Sequence, residues 1–451
     1  MSERILTLME QKRYSDIKQL LENMNAADIA ALMEDLPAET IPMLFRLLPK
    51  ELAAETFVEM DSEAEELLIQ GFSDTELKEV VDELYVDDAV DIIEEMPANV
   101  VKRILQSTDS KTRHQINEIL KYPKDSAGSI MTTEYVDLKK SMTVADAIKR
   151  IRRTGVDKET IYTCYVTDSG RKLLGLVSAK TLLLAAEDDV LEDIMETHVI
   201  YVSTLDDQEE VAGQLVKYDF MAIPVVDQEQ RLVGIVTFDD AMDIMQEETT
   251  EDIEKMAAIT PSDRPYLRTS ALQIFGKRIP WLLVLMVSAT FTGMIIASFE
   301  DSLAKFAVLT AFIPMLMDTG GNSGSQASVT VIRGLSLHEI EMGDIVRILW
   351  KEVRVGLLCG VTLAVVNFGK IMLVDRWLLG NASITPVVAA VVCLTLVATV
   401  FLAKLVGCSL PILAKRIGFD PAVMASPFIT TIVDALSLFI YLRVATVLLH
   451  I

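Results

Sequence analysis

Cysteine and histidine are scarce in this chain of 451 residues, which has four of each. The cysteines show no spacing typical of a disulfide framework or a zinc site, and the histidines are scattered. This disfavours a thiolate or imidazole site for a soft metal, and nothing indicates an oxidising compartment. The sequence also lacks a P-loop, a metal-hydrolase motif and a nucleophile–base pair, so we do not expect an enzyme.

Basic residues are also few in comparison with acidic residues. The chain has 41 Lys and Arg residues against 66 Asp and Glu residues, for a net charge of −25. We therefore expect no nucleic-acid partner, because phosphate backbones select a basic surface. The first residues lack the long apolar core and the cleavage site of a signal peptide, so we expect the acidic part to stay in the cytoplasm.

The acidic residues are concentrated in one part of the chain. Residues 271–451 hold 13 Lys and Arg and 10 Asp and Glu, which leaves 28 and 56 for residues 1–270. An acidic, soluble-looking part therefore precedes an apolar part with nearly balanced charge. This division is typical of a membrane protein with a large acidic domain.

The first 125 residues contain a short helical repeat. Apolar residues recur every twelve positions, each followed by a turn-compatible or polar residue: Leu36, Leu48, Met60, Phe72, Leu84 and Met96. Twelve residues make one short helix and its turn. We therefore predict an acidic α-solenoid over 1–125, in which each hairpin buries its apolar face against the next. A simple helical bundle is the alternative.

Residues 126–246 contain a second repeat of a different kind. Residues 162–178 and 221–237 share a strand–turn–strand pattern at an offset of 59, with an amphipathic helix before and after each copy. The duplication resembles a tandem pair of CBS domains, which are small β-α-β-β-α modules. The two domains are expected at 126–190 and 191–246.

The resemblance to CBS domains makes ATP a candidate cofactor. CBS pairs often bind adenosine nucleotides through an acidic residue soon after a Gly-x-x-[Ser/Thr] step. The second copy has Asp240 at this position, whereas the first copy has Thr181. The nucleotide-binding residues therefore stay unknown, and a cation sensed through the acids is the alternative.

An acidic connecting helix and its continuation, 247–275, lead into five apolar stretches. Each is long enough to span a bilayer at roughly 20 residues: 279–299, 303–333, 353–374, 384–412 and 422–449. Basic residues cluster before the first stretch, between the second and third, and after the fourth. These places fall on one side of five spans, which the positive-inside rule makes cytoplasmic. We therefore predict a transmembrane domain over 276–451.

The second stretch is polar where a membrane helix is normally apolar. Residues 314–326 contain a carboxylate, two amides, three glycines and three hydroxyls. Because unpartnered polar groups are costly in lipid, this cluster must face protein or water. We interpret it as the lining of a path for something small and polar, with glycines that let backbone carbonyls turn toward a cavity. A helix-packing seam is the alternative.

A carboxylate interrupts the last apolar stretch at Asp434. Long basic side chains near the ends of spans can reach the membrane surface, but a short carboxylate cannot do so easily. Ionisable residues inside membrane spans are usually functional. Asp434 is therefore a candidate functional residue inside the last span.

Taken in order, the helical repeat, the CBS pair, the connecting helix and the five spans resemble the MgtE family of magnesium channels. The most specific motifs are Gly320–Gln326 and the run from Asp420-Pro421 to Asp434. The resemblance implies a multidomain protein with an α-solenoid N domain, an α+β tandem CBS pair and an all-α transmembrane domain of five helices. It also implies a bacterial plasma (inner) membrane location with cytoplasmic N-terminal domains.

The resemblance implies a homodimer in which the second and fifth spans line a pore for Mg²⁺. Asp434 would be the pore carboxylate, Asp420 would lie at the cytoplasmic mouth, and Asn322 would support a hydrated ion. Asp318 stands where some members have a small residue, so it belongs either to the pore or to its rim. Carboxylate and amide oxygens suit Mg²⁺, a hard cation that loses its water reluctantly.

The resemblance also implies that Mg²⁺ regulates its own passage by closing the pore when it is abundant in the cytoplasm. The matching acidic residues lie in the helical repeat, the second CBS domain and the connecting, or plug, helix: Asp87, Asp91, Asp207, Glu209, Asp219, Asp240, Asp243, Glu248, Glu251 and Asp252. Bound cations would neutralise acids that face each other, and their loss would favour a looser, open state.

Two other functions stay open at this point. An ion-coupled carrier for Co²⁺ or another divalent cation would use the same intramembrane acids. A CBS-based signalling protein anchored in the membrane would conduct nothing, but it would have no use for a polar cluster and a buried acid. The sequence favours a Mg²⁺ channel gated by cytoplasmic Mg²⁺.

Overall fold

The computed structural model describes residues 1–262, 266–267, 269–337, 339–424 and 426–450. The chain divides into two compact units, Met1–Met245 and Gln246–Ile451. One helix, α15, runs across the division at Phe238–Met256.

Ten short helices form the amino-terminal part of the first unit: α1 Ser2–Glu10, α2 Tyr14–Leu21, α3 Ala26–Glu34, α4 Ile41–Phe45, α5 Lys50–Val58, α6 Ser62–Gly71, α7 Asp74–Val81, α8 Val86–Glu95, α9 Ala98–Ser107 and α10 Ser110–Ile119. Helix α3 packs on α5, α5 packs on α7, and α7 packs on α9. Each helix therefore stacks on the one two places ahead, which is the arrangement of a solenoid rather than of a simple bundle.

The twelve-residue repeat marks the core of this helical domain. The repeated residues are buried, apart from the half-buried Leu48: Leu36, Met60, Phe72, Leu84 and Met96. The phenyl rings of Phe45, Phe57 and Phe72 also contact one another in this core. The sequence period and the packing period therefore coincide, because each turn delivers one apolar side chain to the same interior.

The CBS pair follows as two three-stranded sheets of the same topology. The strands are β1 Asp137–Lys139, β2 Thr163–Thr167, β3 Leu173–Ser178, β4 Val202–Ser203, β5 Ala222–Val226 and β6 Leu232–Thr237. In each sheet the first two strands run parallel and the last two run antiparallel. Cys164 pairs with Val177 and Ile223 pairs with Val236, so the offset of 59 holds in the hydrogen-bond register.

Helices flank both sheets, and backbone contacts join the two copies. The helices are α11 Val144–Thr154, α12 Ala179–Leu184, α13 Leu191–Ile194, α14 Gln208–Tyr218 and α15. Lys172 forms a bridge with Arg231, and Thr132 forms one with Ile235. The loop of one β-hairpin therefore meets the loop of the other, and the two modules form one body.

The second unit is helical: α16 Ala271–Ser298, α17 Glu300–Lys305, α18 Ile313–Ser336, α19 Ile345–Lys370, α20 Pro386–Arg416 and α21 Ser426–Leu449. Helix α19 continues into a π-helical segment, Ile371–Leu378. Helix α18 packs on α20 and α21, while α19 packs on α20 and α16 on α21. The polar stretch found in the sequence therefore lies on a helix that packs against both α20 and α21.

The second predicted span, 303–333, differs most from the structure. Its long helix begins only at Ile313, because residues 300–312 form a short helix and a 3₁₀ segment. By length and composition, four of the described helical segments can cross a membrane: Ala271–Ser298, Met342–Leu378, Pro386–Arg416 and Pro421–Leu449. Helix α18 is not among them, since its polar residues lower its hydropathy.

Candidate functional site

One face of α18 is polar and exposed on the single chain. It carries side chains at helical spacing: Asp318, Asn322, Gln326, Thr330 and Arg333, all exposed. Residues spaced by three or four positions share one side of a helix, so these five form a continuous stripe. We call this stripe the polar face. It places Asp318 on the same side of the helix as Asn322.

The opposite face of α18 packs closely against its neighbours through glycine. A Cβ added at Gly324 would lie 2.8 Å from Ile429 and 3.1 Å from the carbonyl oxygen of Ala403. A Cβ added at Gly407 of α20 would lie 2.2 Å from the carbonyl oxygen of Gly324. The stretch is therefore a packing seam on one side and a polar face on the other.

The expected role of the glycines was wrong in one respect. They were predicted to turn backbone carbonyls toward a cavity, but α18 is a continuous helix from Ile313 to Ser336. Its carbonyls stay in the helical hydrogen-bond ladder, because close contact with α20 and α21 stabilises the helix despite its glycines. Any ligand of the polar face must therefore use side-chain oxygens.

Asp434 lies on α21 beside the same helix. A Cβ added at Gly321 would lie 3.7 Å from Oδ1 of Asp434 and 3.1 Å from Cγ2 of Thr430. Asp318 is near enough for its charge to act on the carboxylate of Asp434. The structure therefore brings two of the predicted pore acids together at the edge of the polar face.

The fourth predicted pore residue, Asp420, lies in the loop between α20 and α21 and contacts the connecting helix. Its Oδ2 accepts a hydrogen bond from Nζ of Lys255 at 2.6 Å, and the same ammonium contacts Oε1 of Glu251 at 2.7 Å. One turn from Lys255, Oδ2 of Asp252 accepts a hydrogen bond from the Ser336 hydroxyl at 3.1 Å. The end of α15 is therefore bound both to the loop of Asp420 and to the end of α18.

The charges at this contact stabilise one another. Burial lowers the pKa of Lys255, but its hydrogen bonds to Asp420 and Glu251 outweigh that effect and raise the pKa overall. Burial raises the pKa of Asp252, and its hydrogen bond to Ser336 opposes the rise. Glu248, also predicted to be regulatory, lies half-buried on the same helix about one turn earlier.

A second group of carboxylates lies in the first unit, between the helical domain and the CBS pair. We call it the acidic interface: Asp87, Asp88, Glu134, Glu159 and Asp240. The backbone N–H of Val86 donates to Oε2 of Glu134 at 3.2 Å, which holds the start of α8 against the first CBS domain. Asp87 is only 6% exposed, and its Oδ1 has no hydrogen-bond partner. Oε2 of Glu159 is likewise buried without a hydrogen-bond partner.

The acidic interface raises the pKa values of its own members. Burial, followed by the charge of Asp240, raises the pKa of Asp87 well above its usual range. The same two causes raise the pKa of Asp88 to about 7 and that of Glu159 to about 8. Burial also raises the pKa of Asp240, against the hydrogen bond that it accepts from Thr237. The structure therefore gathers negative charge here beyond what the fold neutralises.

The remaining predicted regulatory acids are more dispersed. Asp91 is exposed elsewhere on α8, where its charge acts on the buried Glu65. Asp207 begins α14 and accepts the backbone N–H of Glu209 at 3.0 Å, and Asp219 ends that helix in the left-handed conformation. Asp243 is exposed on α15. Among the described residues, no three Cys, His, Asp or Glu side chains are arranged to hold a metal ion directly.

The two CBS copies differ at the position that made ATP a candidate. In the second copy Asp240 accepts a hydrogen bond from Thr237. In the first copy the hydroxyls of Ser178 and Thr181 lie 2.8 Å apart. The second copy therefore presents a carboxylate where the first presents a hydroxyl.

Several residues of these sites were missed by sequence reasoning. They are Lys255, Glu134 and Glu159, together with the pair Glu352 and Lys404 that lines a cavity beside the polar face. Lys404 gave a misleading signal, because its place near the end of an apolar stretch predicts a side chain that reaches the membrane surface, yet it is 5% exposed. Glu134 and Glu159 gave none, since their importance comes only from folding next to α8.

Family models match three parts of the chain. The model described as MgtE, divalent cation transporter, matches residues 313–444, and that of the MgtE intracellular N domain matches residues 24–125. The CBS domain model matches residues 127–188 and 191–247. The matched segments follow the order of the helical domain, the two sheets and the helical bundle.

Characterised relatives cover most of the chain. The magnesium transporter MgtE of Thermus thermophilus is 38% identical over 363 residues, which are 80% of this chain and 79% of that protein. The magnesium transporter MgtE of Bacillus subtilis is 34% identical over 396 residues, or 87% of this chain and 85% of that protein.

Two solved structures resemble slightly more than half of the chain. A crystal structure of the cytosolic domain of the Mg²⁺ channel MgtE in complex with ATP has a TM-score of 0.52 and 34% identity. It covers 54% of this chain and the whole of that chain. The soluble part of a magnesium transporter has a TM-score of 0.51 and 28% identity, covering 55% of this chain and 97% of that one.

Proposed function

The chain belongs to the MgtE family of divalent cation transporters, and on that premise we propose that it is a Mg²⁺-selective channel closed by cytoplasmic Mg²⁺. Membership makes it a membrane transporter rather than an enzyme. We place it in the bacterial plasma membrane with the first unit in the cytoplasm. The proposed domains are the acidic helical domain at 1–125, the two CBS domains at 126–190 and 191–246, the connecting helix at 247–275 and the transmembrane domain at 276–451.

The observation that carries the proposal is Asp434 beside the polar face of α18. Asp318, Asn322 and Gln326 offer carboxylate and amide oxygens along one side of a helix in an apolar bundle. Mg²⁺ prefers oxygen ligands and keeps several waters, so a row of side-chain oxygens suits its hydrated form. Asp434 supplies the principal charge, and Asp318 adds a second within its electrostatic reach.

The same face supports a homodimer. Exposed Asn322, Gln326 and Arg333 would be costly against lipid, where unpaired polar groups find no partner. A second copy that presents its own polar face would enclose them around water. The Asp434 carboxylates of the two copies would then attract the same ion.

Gating rests on the acidic interface. Burying Asp87, Asp88 and Glu159 together is unfavourable while they are ionised, so a cation that neutralises them stabilises their close approach. The ion would be held largely through its water shell, because the acids do not form a ready-made ligand set. High Mg²⁺ therefore favours the compact state, and low Mg²⁺ favours the loose one. The other regulatory acids, Asp91, Asp207, Glu209, Asp219, Asp243 and Glu248, would contribute further charge.

The contact of Lys255 with Asp420 gives the connecting helix a means to hold the pore mouth. Helix α15 carries Asp240 at its beginning and Lys255 near its end, so it is continuous between sensor and mouth. Release of its first turns would weaken the hydrogen bonds of Lys255 with Asp420 and of Asp252 with Ser336. The link is one continuous helix rather than a chain of loops.

ATP is proposed as a second ligand of the CBS pair. The support is the solved cytosolic domain of an MgtE channel in complex with ATP, which is 34% identical to this chain. In this chain Asp240 of the second copy has the chemistry to accept hydrogen bonds from a ribose, whereas Thr181 of the first lacks the charge. We therefore expect at most one nucleotide per pair.

The proposal is tested by ion flux into vesicles that contain the purified full-length protein, with Mg²⁺, Ca²⁺ and Co²⁺ compared. We expect selective Mg²⁺ flux, and its loss in Asp434→Asn because the principal pore charge is gone. Asp375→Asn is the matched control, because Asp375 is already paired with Lys370 at 2.8 Å. Undiminished flux in an assembled Asp434→Asn protein would refute the pore assignment.

Single-channel recording separates the proposal from its alternatives. A channel shows unitary Mg²⁺ currents, whereas an ion-coupled carrier for Co²⁺ or another divalent cation shows flux without unitary steps. A CBS signalling protein that conducts nothing would show neither.

A further inference from the structure

Lys404 is a buried cation inside the helical bundle. It is 5% exposed on α20, and its Nζ lies 3.8 Å from Oε2 of Glu352 on α19. That separation is too long for a hydrogen bond, and Oε2 of Glu352 has no hydrogen-bond partner. The ammonium of Lys404 and the carboxylate of Glu352 therefore face each other without a hydrogen bond between these two atoms.

A cavity explains how such a loose pair persists. Glu352 and Lys404 line an open cavity of about 740 Å³ that is also lined by Asn322, Gln326 and Thr330 of α18. Many water molecules fit in this volume, and the polar wall offers them several partners. A buried ion pair with poor direct geometry is unfavourable when dry, because the lost hydration exceeds the attraction. The cavity is therefore a place for water.

The cavity is shared with the polar face. Asn322, Gln326 and Thr330 belong both to that face and to the cavity wall. A hydrated cation beside Asn322 therefore shares its water with one carboxylate and one ammonium. Because Glu352 and Lys404 line the same cavity as Asn322, both fixed charges would act on a cation there.

We propose that Glu352 is a further carboxylate on the route of the hydrated divalent cation, and that Lys404 is its built-in counter-ion. The inference rests on the proposed function and assigns these two residues to the same ion path. Glu352 attracts the cation, and the positive charge of Lys404 keeps the binding weak enough for the cation to leave. Conduction needs binding that is strong enough for entry and weak enough for exit, which a balanced pair provides.

The test measures how Mg²⁺ flux into vesicles depends on Mg²⁺ concentration, with full-length Lys404→Met. Removing the ammonium leaves a net negative site, so we expect the half-saturating Mg²⁺ concentration to fall about tenfold and the maximal flux to fall as well. Lys404→Arg keeps the charge and should keep the wild-type value. An unchanged half-saturating concentration in assembled Lys404→Met would overturn the inference; Lys404→Gln gives the same test should Lys404→Met not assemble.

A second variant separates ion binding from mere packing. Lys404→Met combined with Glu352→Gln removes both charges, so the half-saturating concentration should return to within about twofold of wild type. If the double variant keeps the tenfold shift, Glu352 does not hold the ion and the inference is wrong. Lys370→Met is the matched control, since Lys370 pairs with Asp375 on another part of the bundle and should leave the concentration dependence unchanged.

The outcome also distinguishes this inference from the proposed function. Absence of Mg²⁺ flux through the wild-type protein would contradict the proposed channel itself. Wild-type flux that Asp434→Asn abolishes and Lys404→Met leaves unaltered in concentration dependence would contradict only the role of this pair.

Discussion

Asp87 in the first unit and Asp420 in the second unit are both carboxylates at least partly buried, yet the charges around them are of opposite sign. The charges that raise the pKa of Asp87 belong to other acidic residues, Asp240, Asp88 and Glu159. Asp420 instead accepts a hydrogen bond from Lys255 at 2.6 Å. The first unit therefore accumulates negative charge where the second neutralises it with a lysine.

This difference assigns separate tasks to the two units. A carboxylate with its own lysine needs no Mg²⁺ to stay in place, so it can serve as a latch. Carboxylates that face each other are stable together only after a proton or a cation joins them, so they respond to the solution. We infer that sensing belongs to the acidic interface and holding belongs to Lys255 and Asp420.

The largest expected effect comes from neutralising the acidic interface. In Asp87→Asn with Asp240→Asn, two of the charges that attract Mg²⁺ to the interface are gone, while Asp88, Glu134 and Glu159 still oppose its closure. We expect the cytoplasmic Mg²⁺ needed for half-inhibition of the current to rise at least about tenfold. Recording from excised patches at several internal Mg²⁺ concentrations measures this shift, and an unaltered inhibition curve would place the sensor elsewhere.

A pH effect on stability is the next largest. The folded-state pKa values of about 7 for Asp88 and about 8 for Glu159 lie above the ordinary value of about 4, so the folded protein binds more protons than the unfolded chain between these limits. Stability without Mg²⁺ must then fall as pH rises, by up to about 1.4 kcal/mol per pH unit for each proton. Circular dichroism of thermal unfolding at pH 6 and pH 8 checks the sign.

The matched control for pH is Asp88→Asn with Glu159→Gln. These substitutions remove the two carboxyl groups that bind protons between pH 6 and pH 8. The unfolding temperature should therefore vary less over this range than in wild type. A wild-type protein that unfolds at a higher temperature at pH 8 than at pH 6 would contradict the raised pKa values.

Lys255→Met should act on the latch and not on the sensor. It leaves Asp420 and Glu251 without their ammonium, and a partly exposed ion pair of this kind contributes about 1 kcal/mol. We expect about a fivefold shift toward the open state at every Mg²⁺ concentration, seen as a higher open probability. If Lys255→Met instead abolished the response to Mg²⁺, latch and sensor would not be separate.

The smallest effect is expected for an acid of the first unit that has its own basic partner. Hydrogen bonds from Arg46 and Ser73 lower the pKa of Glu76 to about 2. Its ion pair with Arg46 is largely exposed, so Glu76→Gln should cost about 0.5 kcal/mol of unfolding free energy. Inhibition by internal Mg²⁺ should be unchanged, and a large change would show that any acid of this unit can affect gating.

The fold was predictable from sequence where one local pattern repeats. The twelve-residue period of Leu36, Met60 and Phe72 predicts a solenoid, because each short helix has to bury one apolar face. The offset of 59 predicts two equivalent strand–turn–strand units, and the two hairpins do share one register, with Cys164 paired to Val177 and Ile223 to Val236. In both cases the pattern expresses the packing directly.

The candidate sites were predictable only in part. Asp434 and Asn322 could be named because polar groups are conspicuous in apolar segments. The contacts of Lys255 and Glu159 could not be predicted, since Asp420 lies 165 positions from Lys255 and the group around Glu159 comes from separate domains. The course of α18 also differed, because packing against α20 and α21 keeps its glycines helical.

The most direct test of the account is hydrogen–deuterium exchange of the full-length protein, measured by mass spectrometry with and without Mg²⁺. We predict that Mg²⁺ slows exchange in the peptides of α8, Val86–Glu95, and of the first turns of α15, while α7, Asp74–Val81, stays unchanged. The protection should be lost in Asp87→Asn with Asp240→Asn. If Mg²⁺ left α8 unprotected in the wild-type protein, the acidic interface would not be the sensor.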